Sequence, residues 1–211
     1  MIRLSIFAAL LLVCASCSDD DTNGNEDQSS YLPLKTGNYW VYQVDRVAPD
    51  GTVTATDQLD SIHILSNTFS EGVEYHSVLY DLTTVVPEDR IKLVRDSAGY
   101  LITSDNEVLF SPSTAGTIID TYQEFKPDGE LLYAVDRKMQ DLDQPTVTPA
   151  GTFTTSNAAG HITYGPSLDS DCTNIQNRKY AKGIGLVETT DFFVNSCTDI
   201  RARLLRYNIE D

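Results

Sequence analysis

The sequence predicts an all-β chain, a single antiparallel curved sheet forming a half-barrel or a barrel-like sandwich. Three observations predict it. Helical periodicity is almost absent after residue 30. Short β-branched and aromatic runs recur instead, about ten to twelve times, separated by turn residues. Near the end, Ile200, Ala202 and Leu204 fall on one face while Arg201 and Arg203 fall on the other, the alternation of a half-buried antiparallel strand.

Taken in order, Tyr39 to Val44 is aromatic and β-branched on both faces, as in a central or covered strand. Pro49-Asp50-Gly51 is a turn, with proline fixing its own φ and glycine taking a positive one. Strands are expected over Thr52–Thr56, Leu59–Leu65, Val73–Leu82, Ile91–Arg95, Tyr100–Thr103 and Glu107–Phe110. A second Pro127-Asp128-Gly129 turn joins Ile118–Phe125 to Leu131–Lys138. Gly151–Ser156, His161–Tyr164, Gly185–Val194 and Ile200–Asn208 complete the set, and 166–199 is otherwise the more irregular stretch. Short strands at this spacing favour a sandwich or barrel over βαβ units.

The 211 residues carry 15 Lys+Arg against 31 Asp+Glu, a formal charge of −16. Such a surface repels nucleic acid and anionic membrane faces, so no nucleic-acid partner is expected. The acids are spread along the chain, as on a solvated surface.

The first thirty residues differ in kind. Arg3 is followed by a largely apolar run, Leu4 to Val13, and then by the small residues Ala15 and Ser16. That is a secretory presequence, and ten residues are too few to span a bilayer, which needs about 20. Ala15-Ser16-Cys17 resembles the lipobox of bacterial lipoproteins, with Cys14 where leucine is usual. The reading is a signal peptide over 1–16, a lipidated Cys17 with an acidic tether over 17–30, and a β domain over 31–211. Loss of 1–16 removes Arg3 alone among charged residues, leaving a mature chain of −17. Acyl chains on Cys17 would then make the membrane a partner through burial of about 0.8 kcal/mol per methylene. Ser18-Asp19-Asp20-Asp21 resembles the surface-export signal of Bacteroidota lipoproteins, which implies the outer membrane, facing either the periplasm or the cell surface. Thr22 to Ser30 contains no apolar residue and reads as a solvated tether, holding the body roughly 20 Å from the bilayer. Asp19, Asp21, Asn23 and Gly24 match part of a calcium loop, but Ser30 stands where a bidentate glutamate is required.

With Cys14 cleaved and Cys17 acylated, Cys172 and Cys197 remain, and in an exported chain two such thiols are expected to pair. No catalytic residue and no metal site is assigned. His63, His76 and His161 lie far from one another and from cysteine, and no hydrolase elbow, zincin motif or phosphate loop occurs. Lys182-Gly183-Ile184-Gly185 leads into a strand, and Asp169 and Asp171 read as a solvated turn pair. Asp60-Ser61-Ile62 and Asp96-Ser97-Ala98 resemble a short O-glycosylation acceptor of Bacteroidota exported proteins. Eleven tyrosines and one tryptophan form an amphipathic set. Tyr39, Trp40 and Tyr42 make a candidate ligand face or, equally, sheet core.

Leu32-Pro33-Leu34-Lys35-Thr36-Gly37-Asn38-Tyr39-Trp40-Val41-Tyr42 resembles the opening segment, P-L-x-x-G-N-x-W-x-Y, of many uncharacterised Bacteroidota lipoproteins. Thr148 to Phe153 and Tyr180 to Val187 resemble later blocks of that group. The resemblance implies a curved antiparallel sheet and carries no catalytic residues. Together these readings give a lipid-anchored envelope lipoprotein whose β domain is a non-enzymatic binding or scaffold module for an envelope partner. No cofactor is expected. The alternative is a carrier holding a lipid or another apolar ligand in a half-barrel cavity of several hundred Å³. A hydrolase is the least favoured reading.

Overall fold

In the computed structural model the described residues are 30–85, 87–168, 172, 174–192 and 196–210. The presequence, Cys17 and the acidic tether to residue 29 lie outside them, as do Asp169 and Asp171. The described chain is all-β, with one short 3₁₀ turn at Pro87–Asp89. Its strands are β1 Tyr39–Val47, β2 Val53–Ser70, β3 Val73–Asp81, β4 Ile91–Ser97, β5 Tyr100–Thr103, β6 Val108–Phe110, β7 Ile118–Phe125, β8 Leu131–Thr148, β9 Gly151–Tyr164, β10 Ile175–Ala181, β11 Gly185–Phe192 and β12 Asp199–Asn208.

All twelve form one antiparallel sheet in the order β6-β5-β4-β3-β2-β1-β12-β11-β10-β9-β8-β7, curled nearly into a barrel. Every pair of sheet neighbours is also adjacent in sequence except β1 and β12, which join the two chain ends. The two P-D-G turns share one geometry. Gly51 and Gly129 take φ of 82° and 86°, and the Asp50 and Asp128 carboxylates each accept the amide two residues on.

Because strands alternate in direction, the barrel has two distinguishable ends. The near end holds the start of β1, the end of β12 and residues 30–38. There Gly183 N–H donates to Ser30 O, Tyr31 packs on Phe110 with ring centroids 4.1 Å apart, and Leu32 is buried. An apolar plug fills this end, with Trp40, Tyr42, Phe110, Met139, Leu186 and Leu204 at its centre. Burying side chains of this size contributes about 1.5–3 kcal/mol each. The β8–β9 hairpin bends at a register shift between Gln140 and Gln144, where Asp141 and Asp143 take positive φ. Its tip reaches β12, where Ala150 N–H donates to Leu204 O.

The alternation expected at the C-terminus is present. Ile200, Ala202 and Leu204 are buried. Arg201 and Arg203, on the opposite face, close over the fully buried Asp45 at 3.5 and 2.7 Å. Cys172 and Cys197 form a disulfide joining the β9–β10 and β11–β12 connections at the far end. Four strands depart most from expectation. β8 runs past its expected end at Lys138 to Thr148. β2 is one 18-residue strand where two were expected, β9 runs unbroken from Gly151 to Tyr164, and β10 lies inside the stretch read as irregular.

Candidate functional site: a charged cavity at the far end of the barrel

β6 and β7 are the two ends of the sheet, and between them the backbone ladder is interrupted. Side chains close the gap instead. Arg137, from β8, is buried with its side chain 2% exposed. Its Nη1 donates to Val108 O on β6 at 3.0 Å, to Glu107 Oε1 at 3.0 Å and to Asp120 Oδ2 on β7 at 3.4 Å. The Val108 amide in turn hydrogen-bonds the Asp120 carboxylate. Arg137 points inward for the same reason as Val135 and Met139, two residues to either side, both fully buried.

Beside this network is a cavity of about 590 Å³, within the range of small-molecule sites, roughly 300–1,000 Å³. Arg178 and Gln176 enter it from β10, Lys92 from β4, Asp191 and Phe192 from β11, and Tyr122 and Tyr133 from the β7–β8 hairpin. Thr84, Val85 and Asp89, between β3 and β4, form one side of the rim. A smaller space of about 70 Å³, bounded by Leu109, Tyr180 and Leu186, marks where the cavity meets the apolar plug.

Glu107 is the electrostatic hub. Lys92 Nζ lies 2.7 Å from it, Arg137 3.0 Å and Arg178 3.8 Å. Burial alone would raise its pKa, but Arg178, Lys92 and Arg137 hold it down at about 2. Asp120 moves the other way, because burial outweighs its pairing with Arg137. Burial, and then the nearby Arg178 charge, pulls the Arg137 pKa down against Glu107 and Asp120. Burial also opposes the Arg178 charge, yet Asp191 and Glu107 more than offset it and the guanidinium titrates above its ordinary range. Asp191 accepts from Thr84 Oγ1 at 2.9 Å and Gln176 Nε2 at 3.1 Å. Two buried atoms of this wall, Arg137 Nη2 and Gln176 Oε1, have no hydrogen-bond partner, a state that costs about 1–3 kcal/mol per group.

Aromatic rings line the cavity on the same strands as the ion network, Tyr122 on β7, Tyr133 on β8 and Phe192 on β11. Tyr133 meets Phe192 edge to face at 5.8 Å, and Tyr122 meets Tyr133 at 6.2 Å. Burial, and then Tyr122 beside it, pushes the Tyr133 hydroxyl up to about 12, so the ring stays neutral at physiological pH.

The residues singled out from sequence lie elsewhere. Trp40 and Tyr42 are fully buried, donating from Nε1 to Ile184 O at 2.6 Å and from Oη to Leu186 O at 2.9 Å. Tyr39 is on the other face, stacked on His63. The candidate ligand face is therefore corrected: strand alternation splits the three residues, and two of them are plug. The histidines are far apart. His63 meets Ser61, His161 meets Gln140, and His76 lines a shallow groove near Lys35. Among the described residues no cluster of His, Cys, Asp or Glu is arranged to hold a metal ion. The cavity has the size expected of a carrier, but its lining is charged where an apolar one was expected. The signal that would have found it is Arg137, an arginine at a core position between Val135 and Met139.

No family model and no curated protein matches the chain. Among solved structures it is similar to a Bacteroides fragilis protein described as exported, with a YmcC-like fold. The TM-score is 0.52 at 15% identity, over 85% of this chain and 99% of that one. A Parabacteroides distasonis protein described as a lipoprotein has a TM-score of 0.49 at 15% identity over the same shares. At this identity the first likeness shows the fold alone, a curled antiparallel sheet.

Proposed function

We propose that the chain is a non-enzymatic lipoprotein of the outer membrane, anchored by acyl chains on Cys17, whose β domain binds a small polar molecule in the far-end cavity. The observation that carries the binding role is the cavity itself. Three cations and the carboxylates paired with them line a space of about 590 Å³ inside a barrel whose other end is solidly apolar. Burying so many charged groups is costly, and an interior that served packing alone would be apolar. The anchoring role rests on the lipobox-like Ala15-Ser16-Cys17 and the acidic stretch after it. The disulfide fits an oxidising compartment, and the fold neighbour from Bacteroides fragilis is described as exported. Residue 30 enters the barrel at the near end, so a membrane tether attached there leaves the cavity mouth at the opposite end from the attachment point.

Mass spectrometry of the full chain expressed in an envelope-forming host tests both halves. An N-terminal peptide beginning at an acylated Cys17 is expected; an unacylated soluble chain overturns the anchoring. Native spectra are expected to show a polar small molecule retained by the wild type and lost from Arg178→Ala. A wild type that carries nothing, and whose melting temperature is unmoved by the small-molecule fraction of an envelope extract, overturns the binding role.

A further inference from the structure

The chemistry of the cavity narrows what it takes. Lys92, Arg137 and Arg178 face Glu107, Asp120 and Asp191, so the inner charges balance, and Asp89 and Asp105 add negative charge at the mouth. The whole chain carries −16. An anion approaching this rim is repelled, and because the inner charges balance, a cation gains no net attraction from the paired groups inside. An apolar ligand would strip water from these groups and return no hydrogen bonds, at a cost of several kcal/mol per group. What remains is a molecule without net charge that is dense in both donors and acceptors.

The second observation is the aromatic wall. Tyr122, Tyr133 and Phe192 meet at right angles, with interplanar angles of 82° and 80°. All three rings line the cavity, and aromatic rings favour a ligand with an apolar C–H surface. Planar carboxylate, guanidinium and amide groups beside aromatic rings suit a ring that is hydroxylated at its edges and apolar on its faces.

We infer that the ligand is a neutral saccharide of mono- or disaccharide size, stacked on Tyr133 and hydrogen-bonded by Glu107, Arg178 and Asp191. This rests on the reading of the cavity as a binding site. The stem of the site, Arg137 with Asp120, positions Glu107 and holds the seam.

The test is titration calorimetry on the full processed chain, held in a detergent without a sugar headgroup. The probes are an array of neutral mono- and disaccharides, with D-glucuronate and glycylglycine as the anionic and zwitterionic comparisons. Saturable binding of at least one neutral saccharide is expected, with glucuronate weaker. Tyr133→Ala should lower that affinity about tenfold, as loss of an aromatic contact does, and Tyr133→Phe should retain it. Binding of glycylglycine or glucuronate without any neutral saccharide overturns the saccharide assignment and leaves the cavity as a site. No saturable binding by any probe, in a protein that also carries no native-mass adduct, overturns both. Equal affinity in Tyr133→Ala and the wild type places the saccharide elsewhere and overturns the assignment to this cavity.

Discussion

Replacing Arg137 with methionine tests whether side chains close the barrel. The substitution keeps the bulk of the stem and removes three hydrogen bonds, to Glu107, Val108 O and Asp120. Glu107 retains Lys92 at 2.7 Å, so it stays paired. Asp120 loses its ion-pair partner and the Val108 carbonyl loses its donor across the seam. Orphaning one member of a buried ion pair costs about 3–5 kcal/mol. Asp120 can escape part of this by protonation, since burial already raises its pKa. The lower end, about 3 kcal/mol, is therefore expected. For a β domain of this length each kcal/mol lowers the melting temperature by about 2–4 °C, so the shift should be roughly 6–12 °C. Urea unfolding followed by circular dichroism measures the free energy directly. In Arg137→Met/Asp120→Asn the orphaned charge is gone, and roughly 1–2 kcal/mol should return as coupling between the sites. A single-variant loss under about 1 kcal/mol, or strict additivity in the double variant, would refute the idea that this network holds the seam.

Glu107 titrates at about 2 in the folded chain against an ordinary 4.5. A depressed carboxyl stabilises above its unfolded pKa and loses that contribution as pH falls toward its folded one. Between about pH 4.5 and 2 the wild type should lose about 3 kcal/mol that Glu107→Gln, already less stable at neutral pH, does not. Parallel urea titrations across that range check it, and the difference cancels Asp60 and Asp199, whose pKa values burial raises. Cys172→Ser/Cys197→Ser opens a loop of 25 residues and should cost about 3 kcal/mol; a melting temperature unaffected by reductant would contradict it. Gly185 has φ of 108°, and an added Cβ would sit 3.0 Å from Trp40 Nε1. Gly185→Ala should therefore cost about 1–3 kcal/mol, with a shift in tryptophan fluorescence, while an unchanged spectrum and midpoint would count against the close indole contact.

The fold was largely legible because its punctuation is local. The P-D-G turns, the β-branched runs and the Ile200–Leu204 alternation each encode their own geometry within a few residues. Legibility failed where the inside of the barrel is polar. Gln176 and Arg178 point into the cavity, so β10 lacks the apolar period that marks a strand. Asp57 and Gln58 interrupt the apolar pattern of β2 on its exposed surface, so one strand looked like two. The site was hidden for a different reason. Lys92, Glu107, Arg137 and Arg178 lie on four segments far apart in sequence, and only curling of the sheet brings them together. The aromatic cluster at Tyr39–Tyr42 drew attention instead, and its tryptophan and Tyr42 proved to be packing.

The strand order has a consequence for chain connectivity. One long-range pairing, β1 with β12, sets the topological cost of folding, because each of the two six-stranded meanders is built from hairpins alone. The two ends of the described barrel already meet there, with Glu210 N–H donating to Asn38 Oδ1. Joining them and cutting the connection 111–117 would turn the barrel into one uninterrupted up-and-down ribbon, β7 through β12 and then β1 through β6. Every sheet contact would become sequential. In that rearranged chain the seam would no longer be spanned by any peptide link, and the ion network together with the apolar packing of Phe110 and Met139 would hold the cylinder closed.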